Sequence, residues 1–118
     1  MDIPEQALKA EQQFFEVWRQ AVSIAGVRFF GEGTQKGLEA SQGKNALRPR
    51  LADIEGALSG MSPGEQIFIC SMYQLFNTTA GRRLTEMAGI KCDMGDLTRL
   101  DVERKAALMA LLATYVGW

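Results

Sequence analysis

The sequence contains no histidine. That single absence removes Ser-His and Cys-His nucleophile activation, imidazole acid–base chemistry and nearly all zinc and iron sites. Cysteine is scarce as well. Cys70 and Cys92 lie far apart and form no CxxC pair, so neither a metal site nor a disulfide framework is suggested. Two reduced, mostly buried thiols are the plain reading. Neither sign of charge dominates: 13 basic and 14 acidic residues leave a formal net charge of −1. A global field that draws in DNA or anionic lipid is therefore missing. No apolar run approaches the roughly 20 residues of a membrane span. The opening MDIPEQ is acidic and polar, unlike a signal peptide. These absences set the expectation of a cytoplasmic, soluble protein with no cofactor, no metal, no membrane association and no nucleic-acid partner.

What is present is helix punctuation. There are only three prolines, and each stands where a helix can begin, while glycines stand where helices can end. Pro4 opens a first helix whose apolar residues Ala7, Leu8, Phe14, Phe15, Trp18, Ala21, Val22 and Ala25 keep a 3.6-residue period. The pattern allows it to continue through Val27, Phe29 and Phe30. GEGTQKGLEASQGKN (residues 31–45) reads as a long loop with one helical turn around Leu38, and loops of that length are mobile or functional. A second helix is expected from near Pro49 to Gly60, with Leu47, Leu51, Ile54, Leu58 and Met61 on one stripe.

SPGE (residues 62–65) then has the form of a capping box, with Pro63 in the first turn. It opens a helix over about residues 63–77 that is apolar on most faces: Ile67, Phe68, Ile69, Cys70, Met72, Tyr73, Leu75 and Phe76. Thr78 or Thr79 is expected to cap a fourth helix ending at Ala88, with Gly89 as a left-handed stop. Residues 91–100 read as a loop, and Asp101 as the cap of a last helix, VERKAALMALLATYV. No stretch alternates long enough to be a strand. The fold class read from this pattern is all-α: one domain over residues 1–118, a compact irregular bundle of four to five helices around the central apolar helix.

A helix apolar on most faces is ordinarily the central post of a bundle. It also has the composition of an interface or a pocket wall, through Phe68, Met72, Tyr73 and Phe76. Tyr115 and Trp118 near the chain end either dock on the bundle or anchor a partner. Thr79, Arg82 and Arg83, beside an expected helix start, form a candidate anion site for phosphate or carboxylate. Solvated arginines are the plainer alternative. Four cations (Lys36, Lys44, Arg48, Arg50) lie within residues 36–50, without the aromatic interleaving of a single-strand binder. Residues 84–101 fail as a helix-turn-helix, because a gap of roughly ten residues replaces its short turn. Asp93 and Asp96 lack the ligand spacing of a calcium loop. No nucleophile is paired with a base, so no catalytic residue is assigned. Cys70 is expected to be inert in apolar surroundings, and Cys92 is the more accessible thiol. The functional expectation is an interaction or regulatory module. It acts by binding a protein partner or a second copy of itself, as a homodimer, through an apolar surface drawn from the third and last main helices and the tail. The alternative is a protein that binds a small molecule in an apolar pocket or an anion at a helix start.

Overall fold

The first helix, α1 (Glu5–Ala25), buries Phe14, Phe15, Trp18, Ala21 and Val22, so only its second half carries a core face. Its first turns face solvent. The structure, a computed structural model, describes residues 4–118; the leading Met1, Asp2 and Ile3 of the polar opening segment lie outside the described residues. The continuation of α1 through Phe30 does not occur. Gly26 has φ +124°, a backbone state that side chains with a Cβ rarely adopt, and the chain turns there. A 3-10 turn (Val27–Phe29) follows, and Phe30 forms an isolated antiparallel bridge with Pro49. The bridge is held by Gly31 N–H donating to the Arg48 carbonyl at 2.9 Å and Arg50 N–H donating to the Phe29 carbonyl at 2.7 Å.

Residues 31–45 hold more structure than one turn. Thr34 accepts from Gly37 N–H and caps α2 (Gln35–Ala40), which buries Leu38. A second 3-10 turn (Lys44–Leu47) buries Leu47. The next helix, α3 (Leu51–Ala57), begins two residues after Pro49, because Pro49 is held in the bridge. It tightens into a 3-10 turn (Leu58–Gly60) before Met61.

The capping box forms as expected. Ser62 Oγ accepts from Glu65 N–H at 3.2 Å, and Glu65 Oε1 accepts from Ser62 N–H at 2.9 Å. It starts α4 (Pro63–Phe76), which buries Ile67, Phe68, Ile69, Cys70, Met72 and Tyr73. Four consecutive buried residues put every face of that stretch against protein, and α4 packs on α5, α7 and α1. Asn77, not Thr78 or Thr79, caps α5 (Thr78–Ala88): its side chain accepts from Ala80 N–H at 3.1 Å. Asn77 also closes α4 through its own N–H to the Tyr73 carbonyl. One extended residue thus turns one helix into the next. The close return that follows requires Gly81, since a Cβ there meets the Gln74 backbone nitrogen at 2.6 Å.

Gly89 takes φ +71° and stops α5, with Gly89 N–H to Glu86 and Ile90 N–H to Thr85, the Schellman pairing. The segment read as a loop contains a one-turn helix, α6 (Met94–Thr98), capped by Asp93 on Asp96 N–H. The last helix, α7 (Val102–Thr114), is capped by Asp101 on Arg104 N–H. It ends two residues short of Val116.

Of the described residues 76% are helical, 3-10 turns included, in an all-α globule with seven α-helices and no strand among them. The five main helices of the sequence reading are α1, α3, α4, α5 and α7; α2 and α6 are short additions in its two loops. One core joins them. Trp18 is fully buried, and its indole N–H donates to the Leu47 carbonyl at 2.9 Å, so the largest side chain enters the core without an orphaned donor.

Candidate functional site

α7 uses two faces. Leu108 and Leu111 enter the core, while α1 packs along the same helix. A second row, Val102, Lys105, Met109 and Leu112, follows the alternating three-and-four spacing of a helix seam and has no helix laid over it. Val102 is 85% exposed, Met109 64% and Leu112 56%, and Met94 on α6 adds a side chain 76% exposed. A row of large apolar groups left in water at helical spacing is the kind of patch that marks an interaction surface.

Two adjoining hollows lie beside this row and share Leu97, Leu108 and Leu112 as walls. The outer one, about 240 Å³, is framed by Met94, Leu97, Thr98, Lys105, Leu108, Met109 and Leu112, and its lining is almost wholly apolar. The inner one, inner only in lying toward α4 since it is equally open to solvent, is about 280 Å³ and adds polar groups from α4, α5 and the linker: Ser71, Gln74, Thr78 and Cys92, beside Leu75. A mostly apolar hollow with a few converging polar groups is the usual form of a ligand site.

Cys92 is the one non-glycine residue among those described with positive φ, at +53°. Its backbone is held left-handed just before Asp93 caps α6, which carries the thiol inward toward the Ile67 carbonyl, 3.7 Å away. Burial pushes this thiol up from its ordinary value. The Ser71 and Thr85 hydroxyls partly offset that, and the Asp96 and Asp93 carboxylates reinforce it. Cys70, deeper in α4, is pushed up to about 12, first by burial and then by the neighbouring Cys92. Both thiols are free and protonated at neutral pH.

The residues singled out in the sequence are dispersed by the fold. Phe68 and Met72 have no exposed surface, and Tyr73 is buried against Phe76, ring centroids 5.6 Å apart. These three are core. Phe76 is half-buried and packs edge-on to Trp118 at 5.1 Å. Trp118 folds back onto its own chain, where its indole N–H donates to Asn45 Oδ1 at 3.1 Å. Tyr115 is 43% exposed, yet its hydroxyl donates to the Leu75 carbonyl at 2.7 Å. Lys44 clasps the tail by donating to the Gly117 carbonyl at 2.6 Å, and it pairs with Glu11 at 3.2 Å.

Thr79, Arg82 and Arg83 share one face of α5, all exposed, and neither arginine forms an ion pair among the described residues. The Ala80 amide that would meet an anion is already taken by Asn77. Arg82 and Lys91 do border one shallow hollow, but Glu86 lies in the same wall.

Sequence reasoning missed Met94, Leu97, Met109 and Leu112 as a group. The signal available was the second apolar row of the last helix, masked by its overlap with the core row. Among the described residues, no three His, Cys, Asp or Glu side chains come together as a metal site, and no helix is long and apolar enough to cross a membrane. Comparison with known proteins finds no matching family model, no matching curated protein and no matching solved structure.

Proposed function

We propose that this protein is an interaction module that acts by binding through the apolar face of α6 and α7, and that a second copy of the chain is its first partner. The observation that carries this is the uncovered row Val102, Met109 and Leu112 with Met94 beside it. The face is self-complementary in form, since a ridge of side chains runs next to a hollow of apolar lining. Two copies related by a two-fold axis place each ridge against the other's hollow. From Ala106 onward α7 carries no charge, so pairing over Met109 and Leu112 desolvates no ion there, and Lys105 at the edge of the hollow is the one cation in the row. Light scattering across a concentration series tests the reading. A mass that climbs from one chain to two supports it, and a constant single-chain mass at high concentration removes self-association.

A second reading rests on the inner hollow with Ser71, Gln74, Thr78 and Cys92: a small molecule held beside the same face. A thermal-shift screen separates the two, because a ligand selective for the folded state raises Tm with its concentration and leaves the mass unchanged.

A further inference from the structure

The polar groups of the inner hollow restrict the chemistry of what it can hold. The Ser71 hydroxyl donates to the Ile67 carbonyl at 2.7 Å, and the Thr78 hydroxyl donates to the Gln74 carbonyl at 3.2 Å. The Cys92 thiol donates to the Ile67 carbonyl at 3.7 Å, and one amide N–H of Gln74 donates to Thr85 Oγ1 at 3.2 Å. Each hydroxyl and thiol proton lining the hollow is thus donated within the protein, the Ser71 hydroxyl lying within reach of both the Ile67 carbonyl and the Cys92 sulfur. What remains unspent on the lining residues is lone pairs on Ser71, Thr78, Cys92 and the Gln74 side-chain oxygen, against one spare Gln74 side-chain N–H. An incoming acceptor, such as a carboxylate or carbonyl, finds a single donor, the spare Gln74 N–H, among several acceptors and regains only part of its lost hydration. An incoming donor is matched.

No charged side chain of either sign lines the inner hollow. Asp93 and Asp96 are near enough to act on the Cys92 thiol, with Asp96 paired to Arg99 at 4.0 Å, and Arg82 and Lys91 border the neighbouring hollow that shares Gln74. Lys105 borders only the outer hollow. Because that lining is almost wholly apolar, Lys105 contributes its methylene stem and not its ammonium. The outer hollow thus suits hydrocarbon and the inner one a donor head.

We infer that the site between α4, α6 and α7 takes a small amphipathic amine, its protonated nitrogen on the acceptors of Ser71, Gln74 and Thr78 and its hydrocarbon body between Met94, Leu97 and Met109. This rests on the small-molecule reading of the same hollow. The test titrates the protein with three probes of equal length, octylammonium, octan-1-ol and octanoate, below their aggregation concentrations. Methionine-methyl NMR is the readout. The expected result is movement of the Met94 and Met109 signals while Met61 and Met87 stay, with octylammonium at least tenfold tighter than octanoate. The paired change Ser71→Ala with Thr78→Val then brings that ratio toward one. Octanoate or octanol binding as tightly as the amine, or a ratio unchanged in the variant, overturns the amine assignment and leaves the hollow as a binding site. No movement of Met94 or Met109 with any probe overturns both.

Discussion

Trp118 lies against Trp18 with ring centroids 4.6 Å apart and planes at 68°, so the last residue of the sequence packs on the largest fully buried one. Phe14 and Phe76 complete the edge-on cluster. Trp118→Ala is expected to lower stability by roughly 2 kcal/mol, less than for a fully buried tryptophan because one side of the ring is open. Urea unfolding measures it. An unchanged midpoint means that the tail is not docked in solution.

The close return after Asn77 makes a paired prediction for glycines. Gly81→Ala places a methyl against the Gln74 backbone and is expected to cost about 1–3 kcal/mol as α4 and α5 are pushed apart. Gly56→Ala in α3 meets nothing within 4 Å and is expected to stabilise by about 0.5–1 kcal/mol through helix propensity. Opposite signs in thermal melts are the result to look for.

Acid sensitivity follows from two helix caps. Hydrogen bonds from Ser62 hold Glu65 below its ordinary 4.5, and those from Arg104 hold Asp101 below its ordinary 3.8. A carboxylate depressed in the folded state adds stability above its unfolded value, and that stability is lost as pH falls through the depressed one. Stability is thus expected to decline from about pH 4.5 downward, and Glu65→Gln to flatten part of the slope. A slope identical in the variant refutes the assignment to Glu65.

The thiols are expected to react in order. Cys92, half-buried and reached through the inner hollow, takes up a thiol reagent first and more slowly than a free cysteine. Cys70, held up to about 12, reacts only as the chain unfolds. Because both folded values are raised, the thiols support folding below the ordinary 9.0 and that support fades as pH rises beyond it. Mass spectrometry after timed alkylation reads the order, and equal rates at the two positions contradict it.

Met109→Asp with Leu112→Asp addresses the apolar face itself. Both positions are more than half exposed, so the folded monomer is expected to change by less than about 1 kcal/mol. Self-association is expected to fall at least tenfold. Loss of fold in place of loss of association assigns these side chains to the core.

Local chemistry made much of the architecture legible. The Ser62–Glu65 box, the Asp101 cap and the Gly89 stop depend on backbone amides within three or four residues, so sequence spacing is enough to find them. The run Ile67–Cys70 required burial on all sides, and burial is what α4 has. Where the reading slipped, the deciding partner was distant. α1 ended at Gly26 although its apolar period ran on, because Phe30 was needed to bridge Pro49. α6 formed in a supposed loop, where Asp93 caps it and Leu97 has a wall to cover.

The candidate site shows the same division more sharply. The sequence alone determined that this chain is helical, roughly where its main helices lie, and that without histidine imidazole acid–base chemistry and imidazole metal ligation are closed to it. It did not determine which apolar residues remain in water. Phe68, Met72 and Tyr73 look like an interface by composition, yet the surrounding helices cover them; Met109 and Leu112 look like core by period, yet nothing covers them. Burial is a property of neighbours, and only the packing of α4, α6 and α7 decided who the neighbours are.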